Sequence, residues 1–363
     1  MSCYHVRTNP GLEDILAEEI LSTRDLAGIA TLTSLSDLRA GWVELRTPRP
    51  LAPTAFSALR CAYEVLEVWH TETHEDLIAG DPEAVLGAVE RSVASTDLPP
   101  QVRRGSFAVR CRRRGDHVVH SPAVERRSGA VISRRTATPV RLNDPDTLIR
   151  VDLSDDHMTI GRLVTRTPLD QRYQWIYRPR VTLSTVAAAA ALRIAQSLRD
   201  PTTPAVLLDP FCGSGTIPLE AAQDRELWHR IHASDIAPEA VAGVRANLAA
   251  NGAASSVAVR RADATELPRY YRDHGINTIV CNPPFGVRLG RRLDFGAFYG
   301  ALLAGAAAIT EPGSVLVLMS SRRRGRLNAV INRQTDWELM SVHLIETGGV
   351  FPGIFALRRR RGS

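Results

Sequence analysis

The sequence predicts an α/β protein of two or three domains, its C-terminal half built on a mostly parallel sheet. Three observations carry that prediction. The chain has 363 residues, more than one ordinary compact core holds. From Val181 onward, short apolar runs alternate with helical stretches, the pattern of a parallel sheet covered on both faces. Each chemically distinctive turn falls at the end of one of those runs, where open α/β sheets bind ligands.

In chain order, the first 165 residues mix helices and strands and read as α+β. Leu12–Leu21 and Pro82–Val93 have helical spacing, while Phe107–Arg112 and Ile149–Leu153 alternate like strands. Arg162–Arg180 is polar, holds two prolines and has no clear periodicity, so the domain connection is placed there. The expected division is 1–165, a connection over 166–180, and 181–363. The second half opens on a helix over Ser184–Leu198 and continues with strands Ala205–Leu208, Ile231–Ser234, Val257–Arg260, Thr278–Cys281 and Ser314–Met319. A helix runs from Pro238 to Asn251-Gly252, with proline in its first turn and glycine after its end. Another covers Phe295–Thr310.

Composition excludes several classes. Hydrophobic residues make up 44% of the chain, as in a globular protein. No run is apolar for long enough to cross a bilayer; the alanine-rich Val186–Leu192 reads as a buried helix. Glu13, Asp14, Glu18 and Glu19 stand where a signal peptide needs an apolar core, so a cytoplasmic location is expected. Cys3, Cys61, Cys111, Cys212 and Cys281 form no CxxC pair, which argues against a disulfide framework and a zinc site. His229 with His232, and His117 with His120, lack partners at ligand spacing, so no metal is expected. A monomer is expected. The net charge is +6, and all 45 basic residues are arginine. They cluster at Arg112–Arg114, Arg126-Arg127, Arg134-Arg135, Arg322–Arg324 and Arg358–Arg361. A guanidinium fork matches phosphate, and several clusters in one basic chain favour a polyanion over a merely solvated surface.

Four motifs carry chemistry. Asp209-Pro-Phe-Cys-Gly-Ser-Gly-Thr216 directly follows a strand. Gly213 and Gly215 permit positive φ and close approach of backbone to a ligand, and a helix begins near Thr216, so free N–H groups point into the turn. Dinucleotide enzymes use glycine-rich turns as well. Here Pro218 stands where their third glycine would be, and the opening carboxylate of Asp209 suits a cationic ligand better than a pyrophosphate. Asp235, in Ala233-Ser-Asp-Ile236, closes the next strand and can accept both hydroxyls of a ribose; it can also cap the helix at Pro238. Asp263, before Ala264, closes the third strand and can accept the amino group of an adenine. Asn282-Pro-Pro-Phe285 closes the fourth. An aryl amine is a poor nucleophile because its lone pair is delocalised. An amide oxygen and a backbone carbonyl can accept its two N–H bonds and aim the lone pair at an electrophilic methyl group. The prolines stiffen that segment, and the aromatic ring can stack on a base.

Asp209–Thr216 together with Asn282–Phe285 resembles the amino-methyltransferase group of Rossmann-like S-adenosylmethionine enzymes. More narrowly, nearly the whole chain resembles the THUMP-domain RNA guanine-N2-methyltransferases. Tyr4–Glu13 is similar to their N-terminal ferredoxin-like segment. Ser106–Arg110, His117, and Asn143–Asp146 followed by Ile149–Val151 are similar to the THUMP module. Arg172-Tyr173 resembles the end of the linker, and Phe285–Arg288 and Gly348-Gly349 also fit. The resemblance implies a seven-stranded methyltransferase sheet, S-adenosylmethionine as cofactor and tRNA as partner, gripped by the THUMP half at its 3′ end. It places Gly213, Ser214, Gly215 and Thr216 along the methionine part of the cofactor, Asp235 at its ribose and Asp263 at its adenine, with Asp209, Ile236, Ala264 and Asn282 also lining the cofactor. Asn282 and the Pro283 carbonyl orient the guanine N2, and Phe285 stacks on the base. Arg288, Arg291 and Arg292 are placed to hold displaced RNA backbone; Thr182 and Ser184 border the cofactor, although helix capping explains Ser184 equally well. Guanosine 6 of the acceptor stem is the first target expected and guanosine 10 the second, with ribosomal RNA as an alternative substrate.

Asn-Pro-Pro followed by an aromatic also serves DNA adenine methylation and glutamine methylation of release factors, but neither needs a THUMP-like half. A non-catalytic RNA-binding protein on the same fold would show degraded motifs, and here they are intact. A THUMP-bearing thiolation enzyme would need an ATP-pyrophosphatase loop, which the sequence lacks.

Overall fold

The computed structural model describes residues 1–33, 41–78, 80–180, 182–284, 294–320, 324–347 and 349–361. Two compact units make up the chain, the first chiefly Met1–Arg7 and Trp42–Leu169, the second Thr8–Glu19 and Asp170–Ser363.

Along the N-terminal part run β1 (Ser2–Arg7), α1 (Glu13–Ser22), β2 (Thr31–Leu32), β3 (Trp42–Thr47), β4 (Glu64–Thr73), α2 (Pro82–Ser95), β5 (Phe107–Arg110), β6 (Arg113–Arg114), α3 (Ser121–Thr136), β7 (Thr147–Ser154) and β8 (His157–Leu163). The strands form one sheet in the order β2-β3-β1-β4-β8-β7-β5, with β6 also paired to β7. Helices α2 and α3 bury Val85, Val89, Val93, Val124 and Ile132 against Phe107, Val109, Ile149, Val151 and Ile160. Asp81 caps α2 by accepting from the Glu83 N–H, with Pro82 in the first turn. The strand expected to reach Arg112 ends at Arg110 because the Cys111 N–H leaves the ladder for Glu125 Oε1, 3.0 Å away.

Some of the arginine clusters act inside the unit. Arg150 is buried and grips both oxygens of Asp152 at 2.8 and 3.0 Å, with Glu64 Oε2 at 3.3 Å. Arg112 also pairs with Glu64. Arg135 donates to the carbonyls of Val93 and Thr96 at the end of α2, where a cation complements the helix dipole.

The second unit holds α4 (Thr185–Leu198), β9 (Ala205–Asp209), α5 (Thr216–Ala221), β10 (Trp228–Asp235), α6 (Pro238–Ala250), β11 (Val257–Arg261), α7 (Leu267–Tyr271), β12 (Thr278–Cys281), α8 (Phe295–Ala308), β13 (Val315–Ser320), α9 (Arg324–Arg333), β14 (Trp337–Leu344) and β15 (Gly353–Arg359). Its seven-stranded sheet has the order β11-β10-β9-β12-β13-β15-β14. The five strands β9 to β13 run parallel, and β15 enters antiparallel between β13 and β14. Ser184 Oγ caps α4 through the Ala187 N–H, and the alanine run is buried. Asp294 caps α8; its expected end at Thr310 shortens to Ala308, and the Thr310 hydroxyl bonds back to the Ala306 carbonyl at 2.7 Å. Among the described residues no helix is long and apolar enough to cross a membrane.

This topology positions the site. From β9 the chain winds outward through β10 and β11, then returns to the other flank of β9 as β12. The crevice beyond the ends of β9 and β12 is the switch point at which such sheets bind ligands.

Candidate active site

Strand β9 ends on Asp209, which is 1% exposed. Its Oδ1 accepts the Phe211 N–H at 3.1 Å, closing the first bend of the turn. The Cys212 N–H donates to the Ser234 carbonyl, which ties the turn to β10. Gly213 and Gly215 adopt φ of +50° and +88°, a region L side chains rarely enter. A Cβ at Gly215 would lie 2.4 Å from Val244 Cγ2, whereas one at Gly213 would meet nothing nearer than 4.0 Å. The turn is therefore packed against α6 at Gly215 and open at Gly213, as a cradle for a ligand requires. The Thr216 hydroxyl donates to the Leu183 carbonyl and lies 3.3 Å from Ser214 Oγ. Burial pushes the Asp209 carboxyl well above the usual carboxylate range, and Asp235 adds to the shift. A cation beside it would restore its charge.

Asp235 joins the turn to the next loop. Its Oδ2 accepts the Gly213 N–H at 3.1 Å and its Oδ1 the Ala237 N–H at 3.0 Å. A carboxylate offers about four acceptor directions, so each oxygen retains one for a ribose hydroxyl. The next side chain, Ile236, is 57% exposed, an apolar surface against which a base can lie. Asp263 accepts both the N–H and the hydroxyl of Thr265 on Oδ1, which leaves Oδ2 as an acceptor. Ala264 beside it is buried. Thr182 donates to the Pro179 carbonyl, and Ser184 is engaged as the cap of α4.

Asn282 follows β12 directly. Ile279 pairs with Leu208 across the sheet, so Asn282 and Asp209 leave it at the same edge. Asn282 Oδ1 is buried and, among the described residues, finds no hydrogen-bond donor. A native fold rarely leaves a buried acceptor unmatched, because the cost is about 1–3 kcal/mol; such an atom is matched when an N–H arrives from outside. Pro283 is buried and Pro284 exposed. Phe285, Arg288, Arg291 and Arg292 lie outside the described residues. Cys212 and Cys281 are buried, and desolvation holds both thiols well above the usual range, which suits packing and not nucleophilic chemistry.

Comparison with known proteins places this geometry. An RMKL-like methyltransferase domain model matches residues 177–351, and a THUMP domain model matches 85–162. A tRNA (guanine(6)-N2)-methyltransferase of Thermus thermophilus is 34% identical over 355 residues, covering 97% of this chain and 98% of that protein. The chain belongs to the THUMP-domain RNA guanine-N2-methyltransferase family. As a member of that family it is an S-adenosylmethionine-dependent methyltransferase. The crystal structure of TrmN from Thermus thermophilus matches it with a TM-score of 0.76 and 31% identity, over 99% of this chain and 100% of that one. SMU.472, described as a putative methyltransferase complexed with SAH, shares the fold at a TM-score of 0.74 and 16% identity, over 100% and 99% of the two chains. An Archaeoglobus fulgidus relative with the same name as the Thermus enzyme is 28% identical over 259 residues, covering 63% of this chain and 64% of its own.

The methyltransferase unit contains residues that the motifs did not reveal. Asn247, on α6, is fully buried. Its Oδ1 accepts from the backbone N–H groups of Ile176 and Tyr177, and its Nδ2 donates to the carbonyls of Tyr177 and Ser214. The stretch before α4, read from sequence as an aperiodic connection, thus lies along α6 and is tied to the glycine-rich turn. The signal in the sequence was Asn247 itself, an amide on the apolar face shared by Val244 and Leu248.

Proposed function

We propose that this chain transfers the methyl group of S-adenosylmethionine to the exocyclic N2 of guanosine 6 in tRNA. The observation that carries the proposal is the end-to-end match, THUMP half included, to the Thermus thermophilus enzyme named for that reaction. The site has the chemistry the reaction needs. When bound, S-adenosylmethionine supplies a methyl carbon made electrophilic by a sulfonium. Gly213, Ser214, Gly215 and Thr216 line its methionine part, Asp209 provides a nearby carboxyl, Asp235 with Ile236 takes the ribose, and Asp263 with Ala264 the adenine. Asn282 Oδ1 and the Pro283 carbonyl accept the two N–H bonds of the guanine amine, leaving its lone pair aimed along the line of displacement. The new N–C bond forms as the S–C bond breaks, and water takes the proton that the nitrogen then sheds. Orientation supplies most of the rate, since no side chain has to remove a proton first. A guanine paired in a stem must leave the helix to reach this crevice, and Phe285 is the residue assigned to stack on it.

The test is incubation of the purified chain with radiolabelled S-adenosylmethionine and unmodified tRNA, ribosomal RNA or DNA. Nuclease mapping and a tRNA transcript with adenosine at position 6 complete it. Label recovered as N2-methylguanosine in tRNA, and absent from the substituted transcript, is expected. Label at guanosine 10, or in ribosomal RNA alone, keeps the chemistry and overturns the target.

A further inference from the structure

The strap leading into α4 is held on α6 at regularly spaced points. Asn251 accepts from the Gln174 N–H and donates to the Gln174 carbonyl, at 2.9 and 2.8 Å. One turn earlier, Asn247 makes the four bonds described above, one of them to the Ser214 carbonyl between the two glycines of the turn. One turn earlier still, Gly243 lies beneath the ring of Tyr177: a Cβ there would be 2.2 Å from Tyr177 Cδ1 and 2.3 Å from Cγ. Residues four apart on a helix face the same way, so Gly243, Asn247 and Asn251 form one track. Gly243 seats the Tyr177 ring because it places no side-chain atom beneath it.

We infer that Tyr177 is a further wall of the cofactor site, on the side of Asp235, and that Asn247 is the positioning residue that holds it there. The inference rests on the assignment of Gly213–Thr216 and Asp235 to the cofactor. Three observations support it. The amide that holds both backbone polar groups of Tyr177 also holds the glycine-rich turn, so ring and turn share one anchor. Desolvation raises the pKa of the phenol, and the carboxylates of Glu239 and Asp235, within electrostatic reach, raise it further. The phenol oxygen makes no hydrogen bond among the described residues and remains open to a ligand. Asn247 has used every donor and acceptor it has, two on each end, and contributes through Tyr177 and Ser214 alone.

Calorimetric titration of the full chain with S-adenosylmethionine, paired with steady-state kinetics in both substrates, tests this. Tyr177→Ala is expected to weaken cofactor binding about tenfold or more, raising KM for the cofactor while kcat at saturation and KM for RNA stay within about twofold. Gly243→Ala pushes the ring off its seat and is expected to give the same loss. In the Tyr177→Ala background the ring is gone and only the 2.9 Å contact with the Cβ of residue 177 remains, so it should add much less, a non-additivity that general destabilisation would not produce. Asn247→Ala should show the same KM effect together with a lower Tm. Asp235→Ala serves as the reference. If it abolishes binding while Tyr177→Ala leaves the affinity unchanged, the inference falls and the cofactor assignment stands. If neither changes binding, the assignment falls and takes the inference with it. An equal loss from Gly243→Ala in both backgrounds also overturns the seating of the ring.

Discussion

Replacing Asn282 by alanine should separate stability from activity. In most proteins, removing a half-buried amide costs stability because its hydrogen-bond partners are left behind. Here Oδ1 is a buried acceptor with no donor among the described residues, so truncation removes an unmet requirement worth about 1–3 kcal/mol. The packing that the amide group itself provides offsets roughly 1 kcal/mol of that, the centre of the usual range for point substitutions. The net effect is between zero and about 2 kcal/mol of stabilisation. A unit of this size gains about 2–4 °C in Tm per kcal/mol, so the midpoint should stay constant or rise by a few degrees. Methyl transfer should behave oppositely. An acceptor that grips the amine as its lone pair is redirected acts only near the transition state, and loss of one such preorganised group costs about 10²–10³ in rate. Scanning calorimetry and single-turnover transfer at saturating S-adenosylmethionine measure the two quantities on one preparation. A Tm drop of more than about 4 °C, or a rate within about fivefold of the parent, would refute the reasoning, because the amide would then be a structural group.

Three further outcomes are expected. Gly215→Ala must place a side chain at φ +88° with its Cβ 2.4 Å from Val244; about 1–2 kcal/mol of backbone strain and 1–3 of overpacking should appear in urea unfolding, with cofactor binding weakened as the turn shifts. His232 is buried beside His274, Tyr271 and Arg260, and desolvation, with the nearby cationic groups, depresses its pKa to about 4. The unfolded chain therefore binds the extra proton between about pH 6.5 and 4, so stability is present above pH 6.5 and is lost as pH falls through that window, by up to roughly 3 kcal/mol; urea midpoints at pH 7 and 4.5 should converge in His232→Phe, and an unchanged pH dependence would sink the assignment. Arg150→Ala removes the partner of Asp152 and Glu64 in the N-terminal sheet and should cost about 3–5 kcal/mol, with Arg150→Lys restoring little because the bidentate grip on Asp152 needs the fork; urea unfolding of the two variants checks this.

Much of the methyltransferase sheet was legible because its strands are buried on both faces and therefore read as apolar runs, as at Thr278–Cys281, whose bounds match. Where such a run meets a polar side chain the boundary moved, as in β10, which extends back to Trp228 through the exposed His229 and Arg230. The N-terminal sheet was harder to read. Strand β4 mixes Glu64, Glu67 and Glu72 with apolar residues, and its carboxylates are paired by Arg7 and Arg162 and by His70 on other strands or two residues along. Local pattern cannot announce a partner that folding brings in. The same reason divides the arginine clusters: adjacent residues in the chain face different partners, so Arg112 closes on Glu64 while Arg113 reaches Ser121 Oγ and the His117 carbonyl.

By itself, the sequence determined which chemistry is present. A carboxylate, two glycines and an amide stand at strand ends, and each residue type limits what its position can do whatever surrounds it: glycine alone tolerates the turn, and an amide oxygen accepts but does not ionise. Only the tertiary structure decided which of these groups are already satisfied. Asp235 accepts two backbone N–H groups and keeps one acceptor direction on each oxygen, Asn247 is wholly committed to strap and turn, and Asn282 Oδ1 has no donor among the described residues. Whether a buried polar atom has a partner depends on residues distant in sequence, and it is that balance of met and unmet hydrogen bonds that turns a list of residue types into a site.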